Sequence, residues 1–275
     1  MSHFDTGTDE LLCEVTERVA VVTLNKPQKK NALGDILTPA LRALLPQLET
    51  RSDVGCVMIT GAGNAFCSGG DVSEMGGGSA QSPAPNLEAR IADLAQRQRA
   101  LTGRLYHLGK PTVAALPGAA AGAGLSIALA CDLRVAADDA FMITAFRNVG
   151  LSGDYGATWF LPRLVGLARA KSLFYFSPRL TAHEAQAMGL VDQVFPAATF
   201  RADALRYAIE LANGPTQALG RLKQNLQAGL ELTLDASLAL EAKHMIESGN
   251  GDEAREAIAA FKEKRKPAFH SKNTQ

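Results

Sequence analysis

Two glycine-rich stretches have the composition expected of a site that binds negative charge. They cover residues 61–71 (GAGNAFCSGGD) and 118–132 (GAAAGAGLSIALACD), and each follows an apolar run typical of a buried strand. Glycine lets the main chain approach a ligand closely with its N–H groups free, and the second stretch leads into a helix-forming segment whose positive N-terminal end favours an anion. Two N–H donors from separate turns could therefore stabilise one developing oxyanion.

Strands and helices alternate around these stretches. Residues 11–24 predict two strands, and residues 54–60 predict the short buried strand that leads into the first glycine-rich stretch. Leucines at helical spacing predict helices over 34–49 and 87–108, and most of the chain beyond residue 181 is predicted to be helical. This order predicts an α/β fold with largely parallel strands, whose ligand site lies where strands end and helices begin.

Residues 111–131 carry no charge and are long enough to resemble a membrane span. Two prolines and three glycines interrupt the segment, however. This punctuation favours a buried strand, a turn and a helix over a membrane helix.

Composition favours an ordinary enzyme of the cytoplasm. The chain has 275 residues, of which 47% are hydrophobic, and its 28 basic residues balance its 28 acidic ones, so no overall field favours nucleic acid or an anionic membrane as a partner. The four cysteines have neither CxxC nor metal-ligand spacing, so we expect no metal site. No basic and apolar leader precedes the first strand, which makes a reducing cytoplasm the simplest compartment.

Familiar nucleotide-binding and hydrolase motifs are absent from the sequence. Residues 61–66 imitate the start of GxGxxG, but Phe66 stands where a small third residue is required. Neither a GxxxxGK[ST] loop nor a GxSxG elbow occurs. The sequence therefore argues against a dinucleotide fold, a P-loop and a serine hydrolase.

Several motifs, in order along the chain, resemble those of the enoyl-CoA hydratase/isomerase (crotonase) family. They are AFCSGGD (65–71), KPTVAALPGAAAGAG (110–124), ACDL (130–133) and LPRLVG (161–166). The resemblance implies an α/β crotonase-like spiral of ββα units over residues 1–200, which holds an acyl-CoA site. It also implies a C-terminal helical region over residues 201–275 for oligomerisation and capping, in a homotrimer or hexamer.

The resemblance also assigns site residues. The backbone N–H groups of Gly70 and Ala123 would form an oxyanion hole around the thioester oxygen. CoA would be part of the substrate, with no separate cofactor. The residues expected to contact CoA are Ser68, Asn31, Ala32 and Leu33, with Phe261 and Lys264 reaching the CoA of a neighbouring subunit.

The identity of the acidic residues distinguishes between reactions. Ser126 and Phe146 stand where hydratases of this family carry two glutamates, and neither can act as a general base. Asp154 resembles the single aspartate of the isomerases and aryl-CoA dehalogenases of the superfamily, although it could also be a turn residue. We therefore expect double-bond isomerisation with Asp154 as the proton shuttle. A hydratase that uses Asp154 alone, nucleophilic use of Asp154 and a silent acyl-CoA-binding paralogue remain as alternatives.

We expect the other notable polar and aromatic residues to have structural roles. Asp71 could brace the first glycine turn, and Asp132 has a structural role. His183 and His244 lie on predicted surface helices. Trp159 is expected to pack a helix rather than to stack on a substrate.

Overall fold

A computed structural model describes residues 2–71 and 86–270 of the chain. Residues 76–85, whose glycine, serine and proline content predicts a loop, lie outside these ranges. Strands alternate with helices through the first two thirds of the chain. The strands are β1 (Ser2–Phe4), β2 (Leu11–Thr16), β3 (Val19–Leu24), β4 (Cys56–Gly61), β5 (Ala65–Cys67), β6 (Thr112–Leu116), β7 (Ala119–Ala121), β8 (Leu133–Ala137), β9 (Phe141–Ile143), β10 (Leu180–Thr181) and β11 (Gln193–Phe195).

The helices cover the sheets and form most of the C-terminal third. They are α1 (Leu37–Thr50), α2 (Leu87–Gln98), α3 (Arg104–His107), α4 (Ala123–Ala130), α5 (Ala157–Val165), α6 (Leu167–Phe176), α7 (Ala182–Ala187), α8 (Phe200–Ala212), α9 (Thr216–Ala228), α10 (Leu234–Gly249) and α11 (Asp252–Lys262). A π-helical turn, Arg99–Gly103, joins α2 to α3.

The strands form two sheets that share a repeating unit. The larger sheet has the order β1-β2-β3-β4-β6-β8-β11 and the smaller has the order β10-β9-β7-β5. In each of the pairs β4/β5, β6/β7 and β8/β9, the first strand joins the larger sheet and the second joins the smaller one. Pairing is parallel from β3 to β11 in the larger sheet, which agrees with the nearly continuous burial of β4, β6 and β8. The predicted α/β spiral of strand pairs and helices is confirmed.

Two local predictions need correction. The predicted helix at 34–49 begins only at Leu37. Leu33 forms a parallel bridge with Gly70, and this pairing keeps the backbone there extended rather than helical. The uncharged segment 111–131 contains an additional short strand, β7, because its three alanines pair with β5 and β9. Tertiary pairing thus outweighs the weak strand preference of alanine. Within the described ranges, no helix combines the length and apolarity that crossing a membrane requires.

The C-terminal helices are tied to the core by polar contacts. α8 packs on β3, β4, β8 and β11 of the larger sheet. Lys223 of α9 donates from Nζ to Asp132 Oδ2 over 3.0 Å, and the same Asp132 oxygen accepts from the backbone N and the hydroxyl of Thr112. This arrangement agrees with the structural role predicted for Asp132. α11 joins α9 through Glu253, which accepts from the first N–H groups of α9.

Candidate active site

The first glycine turn ends in a segment whose backbone is aligned by a neighbouring loop. Leu33 N donates to Gly69 O over 2.8 Å, and Asp71 N donates to Leu33 O over 2.9 Å. The peptide between Gly69 and Gly70 is planar and trans, so its C=O and N–H groups point in opposite directions. Because the Gly69 carbonyl faces Leu33, the Gly70 N–H points away from the Leu33 loop. Among residues 2–71 and 86–270, no backbone carbonyl accepts from that N–H. The Gly70 N–H is therefore oriented and available.

The second glycine turn presents the first N–H of α4. Gly122 has φ +51°, a value that favours glycine, and its N–H donates to Ile143 O at the end of β9. α4 then begins at Ala123, whose N–H has no acceptor within its own helix because it belongs to the first turn. Every residue of α4 is buried, so little water screens the positive end of its dipole.

Glycines bring the two turns into backbone contact. A side chain on Gly69, which has φ +99°, would place its Cβ 3.0 Å from Ala121 O and 3.6 Å from Ala123 N. A Cβ on Gly124 would lie 2.4 Å from Cys67 O, inside the contact distance of real atoms. The positive end of α4 therefore lies directly against the segment that carries Gly70. The arrangement can present two backbone donors to the same region.

Ser126 and Phe146 close the space around the second turn. Ser126 is fully buried and its hydroxyl donates to Gly122 O over 3.2 Å, the carbonyl of the peptide that carries the Ala123 N–H. The buried ring of Phe146 lies 4.0 Å from the Cβ positions that side chains on Gly122 and Gly153 would have. Phe146 thus separates the second turn from the loop of Asp154 by an apolar ring.

Asp154 lies on a sharply turned loop before α5, and α5 packs against α4. Gly153, Tyr155 and Gly156 all have positive φ, at +103°, +49° and +79°. Asp154 Oδ1 is buried and, in the part of the chain that the structure describes, has no hydrogen-bond partner. Burial raises the pKa of Asp154 from 3.8 to about 6. A turn-capping aspartate would accept a backbone bond, so this carboxylate has the features of a base that awaits a proton.

Aromatic residues pack beside the Asp154 loop. Tyr155 is buried, and its pKa is raised by burial and then by the charge of Asp154. Trp159 packs edge to face on Tyr106 and on Phe160, with ring centroids 5.0 and 5.1 Å apart. The predicted packing role of Trp159 agrees with these contacts.

The loop before α1 supports the first glycine turn through the side chain of Asn31. Asn31 is fully buried with φ +56°, and its side chain donates to Ala62 O and Ala65 O over 2.9 and 2.8 Å and accepts from Lys26 N. Ala32 and Leu33 are buried beside it, whereas Ser68 is exposed and its hydroxyl donates to Lys29 O over 3.2 Å. Of the residues predicted to contact CoA in this loop and turn, Ser68 is the one exposed to solvent, and Asn31 uses its side chain inside the protein.

Two further predicted CoA contacts lie on another part of the molecule. Phe261 is 85% exposed at the end of α11, and Lys264 follows with φ +54° and an exposed side chain. α11 packs on α10 and reaches α9 through Glu253. Within the described ranges, no backbone hydrogen bond outside the helices and strands joins Phe261 or Lys264 to the glycine turns, and their contact with a neighbouring subunit's CoA stays a prediction.

The structure adds polar residues that the sequence did not single out as site residues. Arg201 of α8 donates to Gly61 O and Gly63 O and so holds the start of the first turn. His244 was predicted on a surface helix, but its side chain is buried and its Nδ1 lies 2.6 Å from Asn225 Oδ1 of α9. Its burial could not be recognised from the sequence, since a polar residue facing a neighbouring helix breaks no apolar pattern. Within the described ranges, His, Cys, Asp and Glu form no cluster of three that could hold a metal ion.

Comparisons with known proteins show which proteins the whole chain resembles. A family model described as enoyl-CoA hydratase/isomerase matches residues 14–272. A Rhodobacter capsulatus protein named a probable enoyl-CoA hydratase is 40% identical over 93% of this chain and 96% of its own length. The 1,2-epoxyphenylacetyl-CoA isomerase of Escherichia coli is 36% identical over 95% of this chain and 98% of its own. The crystal structure of an enoyl-CoA hydratase from Polaromonas sp. JS666 superposes with a TM-score of 0.85 at 32% identity, covering 94% of this chain and 98% of that one.

Proposed function

The chain belongs to the enoyl-CoA hydratase/isomerase family, and we propose that it moves a double bond within an enoyl-CoA thioester, with Asp154 carrying the proton. The observation behind the proposal is the Asp154 carboxylate. Among the described residues its buried Oδ1 has no hydrogen-bond partner, its pKa is raised to about 6, and its loop meets the Phe146 ring that also lies against the second glycine turn. Membership of the family makes the chain an acyl-CoA-processing enzyme. Family membership alone does not select isomerisation, which we propose from the residues of the site.

The two glycine turns stabilise the charge that the reaction creates. The thioester carbonyl oxygen accepts from the N–H groups of Gly70 and Ala123. When a proton leaves the acyl chain, the electrons of the broken C–H bond move into the conjugated system and negative charge accumulates on that oxygen. Fixed N–H donors in a dry site lower the energy of this dienolate, and the positive end of α4 adds to the effect.

Asp154 performs both proton transfers. Above pH 6 its carboxylate is mainly ionised and takes a proton from one carbon of the acyl chain. The resulting carboxylic acid returns the proton to another carbon on the same face, so that the bond order shifts and no atom is gained. A pKa near 6 suits both halves of this cycle, because the group neither holds nor releases the proton too strongly.

Ser126 and Phe146 favour isomerisation over hydration. Hydration requires a water molecule to be activated and held while a proton reaches the substrate, and two carboxylates usually share that work. Here the Ser126 hydroxyl is bonded to Gly122 O, and an apolar ring stands beside the turn at Phe146. Neither position supplies a carboxylate, so the proposed chemistry uses Asp154 alone, which is sufficient for a proton shuttle.

We also propose that CoA enters as part of the substrate, without a separate cofactor, beside Ser68 and the loop of Asn31, and that the chain acts as a homotrimer or hexamer. Its C-terminal helices support the assembly, because they expose many large apolar side chains that a single chain leaves uncovered. These are Leu222, Leu226, Leu234, Leu238, Met245, Ile246, Ile258 and Phe261. The proposed C-terminal region (201–275) would then cap the CoA of a neighbouring subunit.

Product mass tests the proposal. A 3-enoyl-CoA is incubated with the wild type, with Asp154→Asn and with Asp139→Asn, a matched control whose carboxylate is exposed in the turn between β8 and β9. We expect the wild type and the control to convert the 3-enoyl-CoA into the conjugated 2-enoyl-CoA, an isomer of unchanged mass that chromatography and the ultraviolet absorption of the conjugated thioester distinguish from the substrate. Asp154→Asn should lose most turnover and retain CoA-ester binding. Full turnover in Asp154→Asn would contradict the assignment.

A hydratase that uses Asp154 alone is the second candidate, favoured by the name of the Rhodobacter relative. Incubation with a 2-enoyl-CoA separates it, because hydration of that substrate adds the mass of one water. A silent acyl-CoA-binding paralogue would bind the ester and return every enoyl and aromatic thioester unchanged. Nucleophilic use of Asp154 would produce a covalent adduct on the protein or a hydrolysed product.

A further inference from the structure

A chain of alternating charges lies beside the first glycine turn, and the proposed proton transfers do not use it. Asp71 Oδ2 lies 2.6 Å from Lys29 Nζ and 3.6 Å from Lys26 Nζ. Lys26 Nζ lies 3.7 Å from Glu10 Oε1, at the start of β2. Lys26 and Asp71 are only 7% and 8% exposed, so these charges stand largely outside water.

Buried charges are costly unless each has a partner, and removal of one partner leaves the other uncompensated. Lys26 lies between two carboxylates that come from different parts of the chain, Glu10 and Asp71. Its ammonium group therefore links the start of β2, the loop before α1 and the end of the first glycine turn. Such a link fixes relative position more than it adds stability.

The segment held by these charges is the one that orients the Gly70 N–H. Asp71 follows Gly70 directly, and both its backbone N and its carboxylate bind to the loop that contains Leu33. That loop supplies the Leu33 N–H that holds Gly69 O. The ion pairs of Asp71 thus keep the two segments in register at the point where the direction of the Gly70 N–H is set.

We infer that Lys26 and Asp71 are positioning residues, which hold the Gly70 N–H in the direction that binds the thioester oxygen. The inference rests on the proposed function, since it takes Gly70 as an oxyanion donor. Neither side chain touches the reacting atoms, and both act through the backbone of residues 69–71. A displacement of about 1 Å at a reacting centre costs about 100-fold in rate. We therefore expect Asp71→Asn and Lys26→Met to lower kcat roughly 10- to 100-fold with KM within about threefold.

Carbonyl polarisation gives a readout that a merely structural role would not change. Cinnamoyl-CoA is a conjugated thioester, and hydrogen bonds to its carbonyl oxygen shift its absorption to longer wavelength. The bound ester is compared in the wild type, Asp71→Asn, Lys26→Met, Lys26→Arg and Asp53→Asn. The last is a matched control, because Asp53 pairs with Arg51 in a half-exposed surface ion pair.

We expect the wild type and Asp53→Asn to show the full shift. Asp71→Asn and Lys26→Met should bind the ester and lose more than half of the shift, and Lys26→Arg should restore most of it because it keeps the charge. A full shift and full kcat in both Asp71→Asn and Lys26→Met would overturn the inference alone. If circular dichroism shows that Asp71→Asn is unfolded, the comparison of Lys26→Met with Lys26→Arg tests the inference instead. Absence of a shift in a wild type that binds the ester would overturn the oxyanion proposal and this inference with it.

Discussion

Replacing Asp154 by asparagine should stabilise the fold while it removes the activity. Burial raises the pKa of Asp154 from 3.8 to about 6, so the folded state disfavours the ionised carboxylate that the unfolded chain carries at neutral pH. This difference costs the wild type roughly 3 kcal/mol of unfolding free energy at pH 8. Asparagine has nearly the same shape and no charge, so the variant recovers about 2–3 kcal/mol at that pH.

The sign of the pH dependence follows from the same shift. Below pH 3.8 the carboxyl is neutral in both states and the penalty is absent; it grows as the pH rises towards 6 and is constant above. At pH 5 the gain of Asp154→Asn over the wild type should therefore be about half of its value at pH 8.

Urea unfolding at pH 8 and pH 5, at one protein concentration, measures both quantities. Asp139→Asn serves as the control, and its unfolding free energy should stay within about 0.5 kcal/mol of the wild type at both pH values because the residue is exposed. An Asp154→Asn variant that is no more stable than the wild type at pH 8 would refute the reasoning from burial. An equal gain at both pH values would show that the gain does not come from ionisation.

Three further predictions follow from the same geometry. The pH profile of kcat/KM should fall about tenfold per pH unit below a midpoint near 6, because the base must be ionised, and Asp154→Asn should lack this limb. Gly124→Ala should destabilise the fold by about 2 kcal/mol or more in urea unfolding, because its Cβ would meet Cys67 O at 2.4 Å, and a neutral result would contradict the contact between the turns. Asn31→Ala should cost about 2–4 kcal/mol, because it removes the three hydrogen bonds that the buried side chain makes with Lys26 N, Ala62 O and Ala65 O, and a loss under 1 kcal/mol would contradict its bracing role.

Sequence patterns were sufficient for most of the fold because its signals are local. The two strands predicted over residues 11–24 are β2 and β3, and the buried strand predicted at 54–60 is β4 (Cys56–Gly61). The short strand β7 was missed, because alanines carry no strand pattern and pair there only through partners distant in sequence. The late start of α1 was missed for a similar reason, since the bridge between Leu33 and Gly70 joins distant segments.

The candidate site could be located but not assembled from the sequence. Glycine spacing indicated both turns, yet the contact between Gly69 and the start of α4 depends on how β5 and β7 pair. Likewise, the sequence alone allows two interpretations of Asp154, a turn residue or a base. The burial that raises its pKa and the unpartnered oxygen come from packing around the loop, which no local pattern encodes.

The structure of a complex with an unreactive acyl-CoA that carries the substrate's chain tests the proposed roles most directly. The thioester oxygen should lie about 2.7–3.1 Å from both Gly70 N and Ala123 N. The Asp154 carboxylate should lie about 3–3.5 Å from the carbon that loses the proton, on the face shared with the carbon that receives it. An oxygen bound elsewhere, or an Asp154 carboxylate directed away from the acyl chain, would contradict the proposed oxyanion hole and proton shuttle.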